Sequence, residues 1–145
     1  MSEIVHRPAV IGDAADIHSL LLSHAADIPL AVETLEQEEA LYSAIRKIIV
    51  FGQSWVAEGS GTITGAVLVD SAEVGRHWGE NELLNLRYAA GVALDELIGK
   101  IVERKVPMIA TVKDGNRSDL ATRLERAGFQ PTETRIGEQH FRREP

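Results

Sequence analysis

The stretch from Asn81 to Lys105 reads NELLNLRYAAGVALDELIGKIVERK, and it predicts a strand, a turn and a helix in succession. Leucines set among polar residues indicate the strand, namely Leu83, Leu84 and Leu86. A run of small residues, Ala89-Ala90-Gly91-Val92-Ala93, indicates the turn. Apolar residues then recur at helical spacing on one face: Leu94, Leu97, Ile98, Ile101 and Val102. The rest of the chain is arranged around this unit.

A strand followed by a small-residue turn and a helix can bind an anion. The first N–H groups of a helix have no partner within the helix and carry about half a positive charge. Alanine and glycine in the turn let a phosphate approach these groups closely. The same small residues also let a helix pack tightly on a sheet, so the pattern alone leaves both interpretations open.

The composition indicates one globular domain, residues 1–145, with 44% hydrophobic and 26% charged residues. The absence of cysteine excludes disulfides and thiolate chemistry, and the histidines lack the spacing of metal ligands. A net charge of −7 argues against nucleic-acid binding. The N-terminus lacks the apolar run of a signal peptide, and no stretch could span a bilayer. We therefore expect a cytoplasmic protein that binds neither nucleic acid nor membrane.

Before the central unit, the sequence predicts a strand from Ile4 to Val10 and then two helices. Asp13 is expected to cap the first helix. Thr34 and Gln37 have the spacing of a capping box at the start of the second helix, which Gly52 ends.

A hairpin is predicted next, with strands over Ser54 to Glu58 and Ile63 to Asp70. Gly59-Ser60-Gly61 joins them, because glycine adopts the positive φ angles of tight turns without strain. Ser71 to Glu80 is polar and is expected to be irregular. The hairpin thus leads directly into the central strand.

After the central helix, Met108 to Val112 predicts a strand parallel to the central one, because a helix crosses between them. Asn116 or Ser118 is expected to cap the last helix. Pro131 to Arg142 predicts one terminal strand with Gly137 as a bulge.

Three segments occur in an order that matches a known family. They are Arg7-Pro8-Ala9 with Asp13, Asp16 and Ile17; Trp55-Val56-Ala57-Glu58, Gly61 and Ile63-Thr64-Gly65-Ala66-Val67; and Asn116, Leu124-Glu125-Arg126 and Gly128-Phe129. With them the chain resembles the GCN5-related N-acetyltransferase superfamily over nearly its whole length. The resemblance implies an α/β (α+β) fold with a mixed, mostly antiparallel central sheet flanked by helices. It also implies that parallel strands around Leu84 and Ile109 splay apart around a cofactor cleft.

The superfamily's pyrophosphate loop usually reads Arg/Gln-x-x-Gly-x-Gly/Ala, and the matching register here is Tyr88-Ala89-Ala90-Gly91-Val92-Ala93. The glycine and the final alanine agree, whereas tyrosine replaces the first residue. The resemblance implies acetyl-CoA as acyl donor, with these residues, Leu86 and Asn116 binding it. Leu124 stands where many members have a tyrosine that protonates the departing thiolate.

Acetyl transfer to an amine requires a base, a donor to the oxyanion and a proton for the thiolate. Glu82 is the first candidate for the base, because strand alternation could direct it to the acceptor; Glu80 and His77 are the others. Tyr88 lies close to the expected thioester and is a candidate proton donor. Each has an ordinary alternative: solvated carboxylates at a strand end, a histidine in a loop over the core, and a packed tyrosine ring.

Two charged groups have both functional and structural explanations. Acidic residues crowd the start of the second helix, where they could attract a cationic amine or stabilise the helix dipole: Glu33, Glu36, Glu38 and Glu39. Basic residues on the terminal strand could contact a partner or a nucleotide phosphate, or form a solvated face: Arg135, His140, Arg142 and Arg143.

The leading hypothesis is an acetyl-CoA-dependent N-acetyltransferase that acts on an amine of a small molecule or a protein. The main alternative is a non-catalytic binding or assembly module of the same fold, which the changes at Tyr88 and Leu124 favour. A third interpretation is another acyl-CoA or nucleotide ligand in the same cleft. The acceptor and the oligomeric state, a homodimer included, stay open.

Overall fold

The computed structural model describes residues 3–29, 31–72, 83–116 and 118–145, which form a seven-stranded sheet with helices on both faces. The strands are β1 Ile4–Pro8, β2 Trp55–Gly59, β3 Thr62–Ser71, β4 Leu84–Gly91, β5 Met108–Lys113, β6 Gln130–Arg135 and β7 Glu138–Arg143. The helices are α1 Ala14–Ser23, α2 Leu35–Phe51, α3 Leu94–Val102 and α4 Leu120–Arg126. Short 3₁₀ turns at Ile11–Asp13 and Ala25–Asp27 flank α1. Within the described ranges, no helix is long and apolar enough to cross a membrane.

The sheet has the order β1-β2-β3-β4-β5-β7-β6. Strands β4 and β5 run parallel, and the other neighbouring strands run antiparallel. Helix α3 makes the crossover between β4 and β5, as a parallel pair requires. The predicted mixed, mostly antiparallel sheet with one parallel pair is therefore confirmed.

Each face of the sheet is covered by its own pair of helices and has its own apolar core. The core under α3 and α4 includes Leu97, Ile98 and Leu124 with Phe129 and Phe141 from the end of the chain. The core under α1 and α2 is built from apolar residues at helical spacing, namely Ile17, Leu21, Leu41, Ile45, Ile48 and Ile49. Burial on both faces explains why β3 is apolar at almost every position rather than at alternate ones.

The predicted capping box at the start of α2 is present. The Gln37 N–H donates to Thr34 Oγ1 at 3.1 Å, and the Thr34 N–H donates to Gln37 Oε1 at 3.1 Å. Gly52 ends the helix with φ 89°, the left-handed conformation in which glycine is favoured.

The prediction that Asp13 caps α1 is wrong. Asp13 precedes α1 without a side-chain capping bond, and its carboxylate instead accepts from the Val10 N–H at 2.9 Å. Both of its oxygens also accept from the Arg7 guanidinium, at 2.8 and 2.9 Å. A bidentate guanidinium contact is stronger than a capping bond to a neutral amide, which explains the different role.

The end of the chain also differs from prediction. Pro131 to Arg142 forms two antiparallel strands, β6 and β7, and not one strand with a bulge. Gly137 has φ 85° and lies in the turn between them, beside the fully exposed Ile136. The turn was not predicted because Ile136 precedes the glycine, whereas Asn-Gly and Asp-Gly are the usual pairs at such turns.

Candidate functional site

The parallel strands β4 and β5 separate along their length. Their register pairs are Leu84 with Met108, Asn85 with Ile109, and Leu86 with Ala110, after which no pair forms between them in either strand. Both strands nevertheless continue, β4 to Gly91 and β5 to Lys113. The described strands therefore diverge at their carboxyl ends, as predicted, and leave a split in the sheet beyond Leu86.

A β-bulge lies at the start of this split. In the pairing of β3 with β4, Val69 is opposite Leu86 and Leu68 is opposite Tyr88, so Arg87 is the additional residue. A bulge shifts the alternation of side chains along a strand. Leu86 consequently packs in the core under α3, whereas Tyr88 packs in the core under α1 and α2.

The part of β4 beyond the bulge consists of small residues. Ala89, Ala90 and Gly91 end the strand, and the Val92 N–H that follows donates to the Thr64 carbonyl at 3.0 Å. Small side chains leave the backbone of this part of β4 accessible to a ligand between the strands.

Gly91 is required by the packing of the sheet itself. A Cβ atom on Gly91 would lie 2.1 Å from the Thr64 carbonyl oxygen, and one on Gly65 would lie 2.1 Å from the Val92 carbonyl oxygen. Gly91 also has φ 92°. The two glycines let β3 and β4 approach closely where β4 turns into α3. This explains the glycine independently of any ligand, and it corrects the length of the turn: Ala89, Ala90 and Gly91 belong to β4, and only Val92 and Ala93 form the connection.

A cleft of about 750 Å³ opens at the start of α3, and we call it the loop cleft. Its walls come from the β4–α3 connection, the start of α4 and the edge of β1: Gly91, Val92, Ala93, Leu94, Asp95, Glu96, Ser118, Asp119, Arg123, Ile4 and His6. Ala93 precedes α3 with φ 60° and makes no side-chain capping bond. The first amides of α3 are thus without a side-chain cap in the wall of the cleft, which is the geometry of a phosphate site.

The charges around the loop cleft are mixed. Arg123 contacts Asp95 at 2.7 Å and donates through Nε to the Ser118 carbonyl at 2.9 Å. Arg126 reaches the other oxygen of Asp95 at 3.8 Å. One of the two carboxylates in the first turn of α3, Asp95, is therefore paired with two guanidinium groups, whereas Glu96 also borders the cleft. Arg123 and the α3 amides form a donor set that fits a phosphate group.

One wall of the loop cleft is β1, and an ion-pair cluster fixes the position of this strand. Arg7 bonds to Asp13 and also to Glu58 Oε2 at 2.9 Å, which joins β1 to the first 3₁₀ turn and to β2. The hydrogen bond from Arg7 holds the pKa of Asp13 below its ordinary value, against the opposing effect of burial. Asp13 is therefore charged throughout the neutral range.

A groove lies on the other face of the sheet, between the α1–α2 connection and strands β4, β5 and β7. It consists of an inner hollow of about 190 Å³ and an outer hollow of about 480 Å³, which share Pro29 and Glu138. The inner hollow is lined in addition by Asn85, Leu86, Arg87, Tyr88 and Thr111. The outer hollow is lined in addition by Ala25, Ala26, Ala31, Val32, Glu33, Lys113 and Gly137. We call the two together the sheet groove.

Tyr88 is only 4% exposed but borders the inner hollow. Its hydroxyl accepts from the Arg87 guanidinium at 3.3 Å, and the same guanidinium lies 5.4 Å from the centre of its ring. Arg87 also contacts Asp70 at 3.6 Å. The tyrosine is thus both a core residue and a wall of the groove, and its role as proton donor stays a prediction.

The sequence reasoning missed Glu138. Its Oε1 bonds to His140 Nε2 at 2.9 Å, and it borders both hollows of the sheet groove. His140 had been grouped with basic residues of a terminal strand. The alternation around the buried Phe141 could have separated Glu138 and His140 from their neighbours, because they lie on the opposite face of β7.

Asn116 has structural partners at both ends of its amide. Its Nδ2 donates to the Asp27 carbonyl at 3.0 Å, and its Oδ1 accepts from the Ser118 N–H at 2.9 Å and the Leu120 N–H at 3.3 Å. The prediction that Asn116 or Ser118 is the N-cap of α4 is wrong, because Asp119 precedes the helix and makes no side-chain capping bond. Asn116 instead accepts from the first N–H of α4 from four residues away, and it connects the two faces of the molecule. Its contact with a cofactor stays a prediction.

The predicted cofactor residues Leu86, Tyr88, Ala89, Ala90, Gly91, Val92 and Ala93 are contiguous from the split to the start of α3. The predicted base Glu82 and the alternatives Glu80 and His77 lie outside the described residues. Leu124 is completely buried under α3 and provides no polar group. Metal-ligand clusters do not occur among the described residues.

The chain matches several solved structures over nearly its whole length. It is similar to a polyamine N-acetyltransferase from Drosophila melanogaster that forms N-acetylagmatine, with a TM-score of 0.70 and 16% identity over 99% of this chain and 100% of that one. It is also similar to a diaminobutyrate acetyltransferase from Paenibacillus lautus, solved with its substrate and coenzyme A, with a TM-score of 0.68 and 14% identity over 100% of this chain and 96% of that one. A protein from Pyrococcus horikoshii OT3 matches with a TM-score of 0.74 and 12% identity over 99% of both chains.

No family model matches the sequence, and no curated protein sequence matches it. The structural likeness extends over the whole length of proteins that are GCN5-related N-acetyltransferases. The chain therefore has the fold of the GCN5-related N-acetyltransferase superfamily, and the resemblance noted in its sequence is confirmed at the level of the fold.

Proposed function

We propose that the protein is an acetyl-CoA-dependent N-acetyltransferase whose acceptor is an amine of a small molecule or a protein. The observation that carries this proposal is the split between β4 and β5, which begins at a bulge. Leu86, where the split begins, borders the sheet groove, and Gly91, at the end of β4, borders the loop cleft. Such a split gives a linear donor access to an acceptor on the other face of the sheet. Similar structures belong to N-acetyltransferases that act on amines.

The proposed reaction moves an acetyl group from sulfur to nitrogen. The amine nitrogen attacks the thioester carbonyl carbon, a C–N bond forms and the C–S bond breaks. One proton leaves the nitrogen for a base, and the thiolate takes up one proton from an acid or from water. No oxidation or reduction occurs.

The residues of the chain would divide this work between the two faces. The uncapped amides of α3 and the Arg123 guanidinium would hold the phosphates of the donor in the loop cleft. Backbone N–H groups of β4 beyond the bulge would donate to the thioester oxygen as it becomes an oxyanion. The sheet groove would position the amine and exclude water from the inner hollow. A cytoplasmic location remains a further prediction.

The experiment that tests the proposal is acetyl-CoA binding to the folded protein. A ligand at a hundred times its Kd stabilises the native state by about 2.7 kcal/mol, which should raise the melting temperature by several degrees. An adenine nucleotide without the pantetheine arm, at the same concentration, is the control for nonspecific anion effects. No shift with millimolar acetyl-CoA, for protein shown to be folded, would contradict the proposal.

Glu82 is the proposed general base. Glu82→Gln keeps the shape of the side chain and removes its basicity, so turnover should fall by about 10²–10⁴-fold with acetyl-CoA affinity unchanged. Glu80→Gln is the matched comparison, because it removes a carboxylate two residues away. Equal losses in the two variants would argue against a specific base at Glu82.

A non-catalytic module of the same fold is the second candidate, and two observations favour it. Leu124 is buried and has no proton to give to a thiolate, and β4 continues to Gly91, which leaves a short phosphate loop. A protein that binds acetyl-CoA without acetylating any amine of a broad panel would support this candidate.

A further inference from the structure

The sheet groove contains an arrangement of charges that the acidic composition of the whole protein does not predict. The chain has a net charge of −7, yet the two hollows together are lined by two cations, Arg87 and Lys113, and two anions, Glu33 and Glu138. A groove made for a polycation would be lined mainly by carboxylates. The balance of charges instead indicates a ligand that carries both signs.

Lys113 and Glu138 are a pair of opposite charges on adjacent strands. They are register partners on the adjacent strands β5 and β7, and both border the outer hollow. Their charged groups are not in ion-pair contact, and the Lys113 ammonium has no ion-pair partner among the described residues. Glu138 uses Oε1 to bond His140, which leaves Oε2 for another donor. The pair is thus held apart and accessible from the groove.

The remaining cation of the groove is already engaged. Arg87 contacts Asp70 at 3.6 Å, donates to the Tyr88 hydroxyl and lies over its ring. It borders the inner hollow, close to the split where the amine would react. A fixed guanidinium there disfavours an ammonium ion and favours the neutral, nucleophilic form of an amine.

We infer that Lys113 and Glu138 bind the carboxylate and the ammonium of an α-amino acid, whose side-chain amine enters the inner hollow. The inference rests on the proposed function, and it names the acceptor class as an amino acid with a second amine. Adjacent strands lie about 4.8 Å apart, so one zwitterionic head group can contact both side chains.

The dimensions of the groove set the length of the acceptor. From Lys113 to Thr111, two residues along β5, the distance is about 6.6 Å. An acceptor side chain with three or four methylenes places its amine nitrogen about 5.0 to 6.3 Å from the α-carbon, at roughly 1.25 Å per bond, and so brings the amine close to Thr111. Ornithine and lysine have this length.

Binding of three matched compounds tests the inference without relying on turnover. Ornithine carries both head-group charges, putrescine lacks the carboxylate, and δ-aminovalerate lacks the α-ammonium. We expect ornithine to bind about tenfold more tightly than either, the effect of one charge-assisted hydrogen bond. Calorimetry on the full chain measures the three affinities. Bulk electrostatics of an acidic protein would favour putrescine, so a preference for ornithine over putrescine is a specific signal.

Two variants should each remove one preference and retain the other. Lys113→Met should lower the ratio of ornithine to putrescine affinity to about one, with the preference over δ-aminovalerate unchanged. Glu138→Gln should lower the ratio of ornithine to δ-aminovalerate affinity to about one, with the preference over putrescine unchanged. Lys113→Arg should retain both ratios, and Lys47→Met, which removes an exposed charge on α2 away from the groove, should also leave both unchanged.

Equal binding of ornithine and putrescine, or no binding of any of the three, would overturn the inference. The inference would also be overturned if Lys113→Met lowers the affinities for ornithine and for putrescine by the same factor, while the variant has the melting temperature of the unmodified protein. Acetyl-CoA binding is measured on the same samples. If acetyl-CoA binds but ornithine is not preferred, only this acceptor class is rejected. If acetyl-CoA does not bind, the proposed function is rejected.

Discussion

The loop cleft and the sheet groove lie on opposite faces of one sheet, but different parts of the chain form them. The loop cleft is shaped mainly by backbone: a close approach of β3 and β4, a left-handed residue before α3 and uncapped amides. The groove is shaped by side chains from four separate segments, with Glu138 and Lys113 as neighbours across strands. A site formed by backbone tolerates many substitutions of side chains but no change in backbone conformation. A site formed by side chains tolerates small changes in the backbone but few substitutions.

The largest effect on stability is expected at Gly91, in the wall of the loop cleft, where the facing backbone leaves no space for a side chain. Gly91→Ala places a methyl group 2.1 Å from the Thr64 carbonyl oxygen at a residue with φ 92°. We expect a loss of about 3 kcal/mol in the free energy of unfolding and a melting temperature lower by about 10 °C. Thermal unfolding followed by circular dichroism measures this effect.

The matched control is Gly99→Ala, in the middle of α3, where a Cβ atom has no neighbour within 4 Å. That variant should be more stable than the unmodified protein by up to about 1 kcal/mol, because alanine is the better helix former. Similar melting temperatures for the two variants would show that the contact between β3 and β4 relaxes without cost.

A smaller effect is expected at the wall that β1 gives to the loop cleft. Asp13→Asn removes the bidentate acceptor of Arg7 and should cost about 2 kcal/mol at neutral pH. The pKa of Asp13 is lowered in the folded state, so its contribution is full above the ordinary aspartate pKa of about 3.9 and decreases as the pH falls through the lower folded value.

Chemical denaturation at a series of pH values measures this contribution. Below about pH 4, the stability of the unmodified protein and that of Asp13→Asn should converge. Asp16→Asn, in the exposed first turn of α1, is the control and should change stability by less than about 1 kcal/mol. A constant difference between Asp13→Asn and the unmodified protein at all pH values would indicate lost packing, not lost charge.

Arg123→Gln separates the two sites by their ligands. It should weaken acetyl-CoA binding by about tenfold and leave amine binding in the sheet groove unchanged, since Arg123 borders only the loop cleft. Arg126→Gln is the control, because Arg126 contacts Asp95 at 3.8 Å and does not line the cleft. Equal losses in both variants would indicate long-range attraction and not a phosphate contact.

The smallest effect is expected at the residue that joins the two regions. Asn116→Asp retains the oxygen that accepts from the Leu120 N–H and loses the Nδ2 donor to the Asp27 carbonyl, at a cost of about 1 kcal/mol. Because Ala25 and Ala26 of the same 3₁₀ turn border the outer hollow, amine affinity should fall and acetyl-CoA affinity should not. The opposite pattern would support the cofactor contact that the sequence predicted for Asn116.

Regular patterns in the sequence predicted most of the fold. The apolar stripe of α3, the capping box of Thr34 and Gln37 and the crossover between β4 and β5 follow from residues close together in the chain. The bulge at Arg87 does not, because it depends on the register between β3 and β4, which no local pattern specifies. The bulge is also what reverses the direction of Tyr88.

The candidate site could be predicted on one face only. The residues from Tyr88 to Ala93 are contiguous, and small residues before an amphipathic helix are a recognisable signal. Glu138 was missed, because its place in the groove depends on a hairpin whose turn contains Ile136 and not an asparagine or aspartate. Residues that meet only through the sheet give no signal until their pairing is known.

The contact between Gly65 and Gly91 has a consequence for how this chain can vary in evolution. The obstacle at each glycine is a backbone carbonyl oxygen, that of Val92 for Gly65 and that of Thr64 for Gly91, so no change in a side chain elsewhere can make room for a larger residue. The two positions are therefore expected to be constrained together in relatives. A profile built on that glycine pair and the spacing around it should detect distant relatives that the loop pattern misses.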